Sequence, residues 1–197
     1  MKRNLLLILI ILLIDQISKI WIKTNMMLGE DIHVFSWFII HFTENPGMAF
    51  GWQWGGDIGK YFLTSFRMIA AVLIFIWMLR SARQNLVVPA QVALALIFAG
   101  AVGNLIDSLF YGIVFDHSYH QVATFFPEDG GYGSFMLGKV VDMLYFPLID
   151  TTWPQWMPFV GGDNFVFFRP VFNVADVSIS VGVGLLLLYQ KHIFKDS

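Results

Sequence analysis

Cysteine is absent from all 197 residues of this chain, and charged residues make up only 13% of them. Without cysteine, the chain can form no disulfide, no thiolate metal site and no cysteine nucleophile. The formal net charge is −2 and no basic run occurs, so the sequence offers no electrostatic footprint for nucleic acid. The metalloprotease signature H-E-x-x-H and the serine-hydrolase signature G-x-S-x-G are also missing. Several common chemistries are therefore excluded.

What the chain has instead is apolar: 57% of its residues are hydrophobic and its mean hydropathy is +0.66, values typical of integral membrane proteins. A hydrocarbon core of about 30 Å takes about 20 helical residues to cross. Four segments are long enough, at residues 4–23, 61–80, 90–111 and 172–190. The first lacks a small-residue cleavage site, which indicates a retained helix rather than a signal peptide. We predict an α-helical integral membrane protein, a four-transmembrane-helix bundle in one membrane-embedded domain over residues 1–197.

Basic residues predict the orientation of this bundle. They flank the ends that an even number of crossings places on one side: Lys2 and Arg3, Arg80 and Arg83, and Lys191 and Lys195. By the positive-inside rule that side is the cytoplasm, so both termini are expected there and the stretches 24–60 and 112–171 face outward. Short β-prone runs within residues 31–50 predict a small extracytoplasmic antiparallel β-sheet, and the rest is expected to form extended extracytoplasmic loops.

Polar side chains inside the predicted helices lie at a common depth, towards the outward side of the bundle. They are Asp15, Lys19, Arg67, Asn104, Asp107, Asn173 and Asp176. Asp15 and Lys19 are four residues apart with the acid first, so they either brace the bundle as a neutralised pair or contact a substrate. Asn104 and Asp107 share a helix face and either join helices or line a site. Arg67 is expected to snorkel outward.

Two aspartates stand out because an ionised carboxylate is costly in apolar surroundings. Asp176 lies about one turn inside the last apolar run, and Asp142 lies between Val-Val and Met-Leu. Together they favour a functional role, since two close carboxylates that share a proton can act as acid and base. His117 and His120 lie in a Tyr-rich loop without a third well-spaced ligand, so we predict no metal and no cofactor.

Five short segments add a pattern in chain order. They are Asp15-Gln16-Ile17-Ser18-Lys19, Asn45-Pro46-Gly47-Met48-Ala49-Phe50, Ala99-Gly100-Ala101-Val102-Gly103-Asn104-Leu105-Ile106-Asp107, Val140-Val141-Asp142 and Phe172-Asn173-Val174-Ala175-Asp176. Each is weak alone, but the five together resemble the lipoprotein signal peptidases, the type II signal peptidases of bacteria, over nearly the whole chain.

The resemblance implies an intramembrane aspartyl endopeptidase that removes signal peptides from diacylglyceryl-modified prolipoproteins. Cleavage before the lipid-bearing cysteine would use two aspartates, a water and no metal. The residues implied are Asp142 and Asp176 as the catalytic pair, Asn45, Gly47, Ala49, Asn104, Asp107, Asn173 and Ala175 as site lining or support, and Asp15 and Lys19 as support on the first helix.

The same resemblance implies where the protein acts and with what. The site would face the extracytoplasmic side of the bacterial cytoplasmic (inner) membrane, with the small sheet as a cradle over the substrate. The partners implied are the lipid-modified prolipoprotein and membrane lipid, with no nucleic acid, and we expect a monomer.

Two departures from the family pattern bear on the site. Ser108 follows Asp107 where the family commonly has arginine, so Arg67 or Arg169 is a candidate to supply that charge. The stretches 112–139 and 147–171 are also longer than usual. Two other functions stay open: an ion-coupled membrane transporter, because intramembrane charges also mark ion pathways, and a non-catalytic lipopeptide-binding membrane protein.

Overall fold

The computed structural model describes residues 2–47, 55–84, 86–147, 149–167 and 170–193. Helices α1 (Lys2–Asn25), α2 (Gly56–Arg83) and α3 (Val88–Ile106) come first, and α3 continues through a π-helical turn, Asp107–Tyr111, into the single turn α4 (Gly112–Val114). Helix α5 (Val174–Ile193) follows the long outward stretch. Helix α3 packs against α1, α2 and α5, so it is the centre of the bundle.

Three helical stretches of the described residues are long and apolar enough to cross a membrane: Lys2–Asn25, Gly56–Arg83 and Val88–Val114. The described apolar part of the last helix, Val174–Gln190, is shorter. This helix begins at Val174 rather than at the predicted residue 172, because Val171 and Phe172 form a strand. Helices α1 and α2 leave many large apolar side chains exposed, as expected of helices that contact lipid.

The strands form two separate sheets. In chain order they are β1 (Asp31–Phe35), β2 (Phe38–Asn45), β3 (Val140–Tyr145), β4 (Ile149–Thr152), β5 (Asn164–Phe167) and β6 (Val171–Phe172). The larger sheet is antiparallel in the order β1-β2-β3-β6, and β4 pairs with β5 alone. The predicted fold class, a helical membrane protein with a small antiparallel sheet, is confirmed. The third and fourth strands of that sheet were not predicted, because they come from the outward loops.

The larger sheet brings distant parts of the chain together at one end of the bundle. Thr43 on β2 lies opposite Asp142 on β3, and Leu144 lies opposite Phe172 on β6. Only Asn173 separates β6 from α5, so the strand that carries Asp142 pairs with the strand that leads into Asp176. The sheet is held to the bundle by one buried cluster drawn from α1, β2, the π-helical turn, the 112–139 loop and β3: Ile22, Met26, Phe42, Tyr111, Phe115, Ala123, Val141 and Met143.

Candidate active site

Small residues let α3 and α5 approach closely beneath the site. A side-chain carbon added to Gly100 would lie 2.3 Å from the carbonyl oxygen of Ala175, and one added to Gly103 would lie 2.7 Å from Oδ2 of Asp15. Neither position has room for a Cβ atom. Close packing of these helices therefore requires glycine at both positions.

Lys19 lies at the centre of the buried polar groups of α1 and α3. Its Nζ is 2.9 Å from Oδ2 of Asp15, 2.8 Å from Oδ2 of Asp107 and 2.9 Å from Oδ1 of Asn104. All three charged side chains are at most 1% exposed. We call Lys19, Asp15 and Asp107 the inner cluster. Of the two roles left open for Asp15 and Lys19, the structure favours bracing, because neither side chain reaches the surface.

The two carboxylates of the inner cluster also hold the backbone of the segments that carry the prominent aspartates. Oδ1 of Asp15 accepts a hydrogen bond from the backbone N–H of Ala175 at 2.9 Å, and Oδ2 of Asp107 accepts one from Val141 at 3.3 Å. Each N–H belongs to the residue immediately before one of the two aspartates. The inner cluster therefore positions α5 and β3 relative to each other.

Gln16 completes this arrangement and was not singled out from the sequence. Its Nε2 donates to Oδ2 of Asp15 at 3.0 Å, to the carbonyl of Gly103 at 3.2 Å and to Oδ1 of Asp107 at 2.9 Å. The hydroxyl of Tyr111 donates to its Oε1 at 3.2 Å. The available signal was its place in the same short segment as Asp15 and Lys19, because an amide inside an apolar helix needs hydrogen-bond partners.

Two asparagines join the two prominent aspartates. Nδ2 of Asn173 donates to Oδ1 of Asp142 at 2.7 Å and to Oδ1 of Asn104 at 3.1 Å, and Nδ2 of Asn104 donates to Oδ1 of Asp176 at 2.8 Å. Asn173 and Asp176 also cap the start of α5 for each other, with the N–H of each bonded to the side chain of the other. A continuous amide network thus links the two carboxylates.

The environment of Asp142 favours its protonated form. The residue is only 4% exposed, and burial raises the pKa of Asp142 to about 7, with the negative charge of Asp176 acting in the same direction. Hydrogen bonds from Asn173 and Asn45 and the positive charge of Lys19 oppose this shift without cancelling it. A carboxyl group with a pKa near neutrality can give or take a proton at physiological pH.

The turn after β2 forms one edge of the site. Oδ1 of Asn45 accepts the N–H of Gly47 at 2.7 Å, and Gly47 has a positive φ of 97°, a conformation that favours glycine. Asn45 therefore contacts both the turn and Asp142. The predicted site residue Ala49 and the candidate Arg169 lie outside the described residues.

Arg67 was expected to snorkel outward, and this was wrong. Its Nη1 donates to Oγ of Ser108 at 2.8 Å, and its Nη2 donates to the carbonyl of Gly47 at 3.0 Å. The side chain is partly buried against Ser108 and the turn of Gly47, and a cation removed from water is stable only where such partners exist. The guanidinium therefore lies beside Ser108, the position at which the chain departs from the resembled family.

A second group of charges lies one helical turn further along α1 than the inner cluster, and the sequence did not indicate it. Glu44 on β2 contacts Nζ of Lys23 on α1 at 2.5 Å and Nζ of Lys139 at 3.0 Å. Burial would raise the pKa of Glu44, but the two ammonium groups outweigh it and hold that pKa below its usual range. We call Lys23, Glu44 and Lys139 the outer cluster. It joins α1, the sheet and the 112–139 loop.

Among the described residues, no three histidine, aspartate or glutamate side chains form a cluster able to hold a metal ion. Asp116, which precedes His117, instead accepts the backbone N–H of Thr124 at 2.7 Å and a hydrogen bond from Gln121 at 3.5 Å. The carboxylate of Asp116 thus stabilises the loop that contains it.

The fold and the site define a membrane-embedded protein with two linked aspartates at the end of the helical bundle that carries the larger sheet. A model of the family described as signal peptidase (SPase) II matches residues 7–191. The chain is 49% identical over 183 residues to the lipoprotein signal peptidase of Porphyromonas gingivalis, covering 92% of this chain and 80% of that relative. It is 38% identical over 188 residues to that of Amoebophilus asiaticus, covering 93% and 75%. The chain belongs to the signal peptidase II family, as predicted.

The fold is also similar to a solved structure described as a bacterial membrane enzyme obtained by the in meso method at 2.3 Å resolution. The TM-score is 0.62 with 26% sequence identity, and the match covers 100% of this chain and 93% of that one. The similarity therefore spans the helical bundle together with the sheet.

Proposed function

We propose that this signal peptidase is an aspartic endopeptidase whose catalytic pair is Asp142 and Asp176. The observation that carries the proposal is the network of Asn104 and Asn173, which links the buried carboxylate of Asp142 to the partly buried carboxylate of Asp176. Two such groups cannot both ionise easily, so the pair holds one proton and one negative charge. The raised pKa of Asp142 supports Asp142 as the residue that carries the proton at rest.

The chemistry then follows from the two protonation states. The ionised aspartate takes a proton from a water molecule, while the oxygen of that water forms a bond to the carbonyl carbon of the scissile peptide. The protonated aspartate hydrogen-bonds to the carbonyl oxygen as negative charge develops there. When the C–N bond breaks, a proton from the pair passes to the leaving nitrogen. Asn45, at the edge of the site, has the side-chain amide needed to hold a substrate backbone.

For the substrate, we propose a diacylglyceryl-modified prolipoprotein cut just before the lipid-bearing cysteine. The relatives named lipoprotein signal peptidase support this choice, and so does a polar site at the end of helices whose outer faces are apolar. The proposed setting is the extracytoplasmic side of the bacterial inner membrane, with both termini cytoplasmic, as the basic residues favour. We propose that the enzyme acts as a monomer in contact with membrane lipid.

The decisive experiment replaces each aspartate by asparagine, which keeps the shape and removes the acid. We expect Asp142→Asn and Asp176→Asn each to lower kcat for a lipidated prolipoprotein peptide by about 10³-fold or more, because each removes half of the acid–base pair. Asp57→Asn is the matched control, since Asp57 is an exposed carboxylate at the start of α2 and should leave turnover unchanged.

Three outcomes would contradict the proposal. Retained turnover in either variant would remove that aspartate from the catalytic pair. Lipopeptide binding without hydrolysis by the unaltered protein would indicate a non-catalytic binder. Ion flux in liposomes without hydrolysis would indicate a transporter.

A further inference from the structure

Arg67 on α2 joins the turn at the edge of the site to the π-helical turn that follows α3. Its guanidinium donates through Nη1 to Ser108 on the π-helical turn and through Nη2 to the carbonyl of Gly47. A side-chain carbon on Gly47 would lie 2.9 Å from Nη1 of Arg67, so the backbone of the turn rests directly on the guanidinium. The two nitrogens of one side chain thereby join α2, the end of α3 and the turn after β2.

The carboxylates near this guanidinium differ in whether they already have another positively charged partner. The carboxylates acting on Arg67 are those of Asp176, Asp107 and Asp142. Asp107 is already paired with Lys19 at 2.8 Å, inside the inner cluster. Because Asp15 and Asp107 share that one cation, part of their negative charge remains, and the rest of the negative charge acting on Arg67 belongs to the aspartate pair.

The pair supplies one unit of that negative charge if it holds one proton. Two carboxyl groups with one proton carry a single negative charge, and one guanidinium carries a single positive charge. A buried ion is stable only when it is paired and hydrogen-bonded. Among the carboxylates near Arg67, that of Asp176 acts on it most strongly.

We propose that Arg67 is a positioning residue that stabilises the singly ionised state of the Asp142–Asp176 pair and couples it to the turn of Asn45 to Gly47. The inference rests on the proposed aspartic mechanism and adds to it a cation on a different helix. The turn provides this coupling because its two ends contact different groups. Asn45 at one end hydrogen-bonds to Asp142, and Gly47 at the other end contacts Arg67. Arg67 therefore acts through other residues and does not take part in bond making.

Lys60 provides a matched control on the same helix. It lies seven residues before Arg67, which places both side chains on one face of α2. Its Nζ donates to the carbonyl of Pro46 at 2.6 Å, so it contacts the same turn. The charges acting on Lys60 are those of Arg67, Asp107 and Lys139, and do not include the aspartate pair. Loss of Lys60 thus removes a cation and a turn contact without removing the counter-charge of the pair.

The test is the pH dependence of kcat/KM for cleavage of a lipidated prolipoprotein peptide in detergent, for Arg67→Met, Arg67→Lys and Lys60→Met. Removing a nearby positive charge disfavours both ionised states of the pair, so both limbs of the profile of Arg67→Met should move to higher pH, by about one unit or more. Arg67→Lys keeps the charge but loses the two guanidinium nitrogens that contact Ser108 and Gly47 together. The limbs of its pH profile should therefore stay near those of the unaltered enzyme while kcat falls. Lys60→Met should leave both limbs in place.

A second readout does not depend on turnover. The infrared carbonyl stretch of a protonated carboxyl group, assigned by its loss in Asp142→Asn, should persist to higher pH in Arg67→Met than in the unaltered enzyme. Unmoved limbs and an unmoved infrared titration in a folded Arg67→Met, or equal shifts in Lys60→Met, would overturn the role of Arg67. That failure is distinct from failure of the aspartic mechanism, which would appear as activity in Asp142→Asn.

Discussion

Helix α1 carries two buried lysines one turn apart, and their surroundings are opposite in charge. In the inner cluster, Lys19 lies between two carboxylates, 2.9 and 2.8 Å away. In the outer cluster the carboxylate of Glu44 lies between two ammonium groups, those of Lys23 and Lys139. Each cluster alone leaves one charge in excess, but the two together contain three positive and three negative groups. Burial of so many charges in an apolar protein is therefore balanced along α1 as a whole.

The clusters differ in the further contacts that their carboxylates and ammonium groups make. The carboxylates of the inner cluster accept backbone N–H groups from Ala175 and Val141, next to the aspartate pair. The outer cluster reaches Ser118, whose hydroxyl is 3.0 Å from Nζ of Lys23, and the rings of Phe115 and Tyr132. The inner cluster thus positions the site, whereas the outer cluster attaches the 112–139 loop to the bundle and the sheet.

Lys19→Met should have the largest effect on both stability and activity. It leaves Asp15 and Asp107 buried without their cation, and breaking a buried ion pair in this way costs on the order of 3–5 kcal/mol. Activity should fall with it, because the same carboxylates hold the segments of both catalytic candidates. Thermal unfolding in detergent, with peptide cleavage measured on the folded fraction, tests this. An unchanged melting temperature with lost activity would instead indicate that Lys19 contacts the substrate.

Glu44→Gln should destabilise the protein by about 3 kcal/mol at neutral pH, because Lys23 is left buried and unpaired. Cleavage by the folded fraction should change little, in contrast to Lys19→Met. A carboxylate whose pKa is lowered in the folded state contributes stability above its unfolded pKa, and that stability is lost as pH falls through its folded pKa. The difference in melting temperature between Glu44→Gln and the unaltered protein should therefore shrink below about pH 4. Equal stability of the two proteins at neutral pH would refute the role of Glu44.

The sequence predicted much of this architecture because its strongest signals are local. Apolar runs indicated the membrane helices, and the short β-prone runs within residues 31–50 indicated the hairpin of β1 and β2. The charge pair Asp15 and Lys19 was visible from its spacing alone. The family resemblance then added the two aspartates as one candidate site, and the structure links them through Asn104 and Asn173.

What the sequence could not show depends on pairing between distant segments. Glu44 has no sequence neighbour that identifies Lys23 or Lys139 as its partner, since they are 21 and 95 residues away. The direction of Arg67 likewise depends on Ser108, which is 41 residues further along the chain. Helix position alone favoured outward snorkelling, and the inward hydrogen bonds outweighed that preference. Contacts between elements therefore determined both features.

Lys139→Met gives the smallest predicted effect and the sharpest test of the difference between the clusters. Its side chain is 26% exposed, and Glu44 keeps Lys23 when it is lost, so the cost should be about 0.5–1 kcal/mol. Limited proteolysis should nevertheless cut the 112–139 loop sooner, because Lys139 also lies over the rings of Tyr119 and Tyr132. Cleavage of substrate should be preserved. Because Lys139 directly precedes β3, an activity loss as large as that of Lys19→Met would show that the outer cluster positions Asp142 as well, and the division of roles between the two clusters would fail.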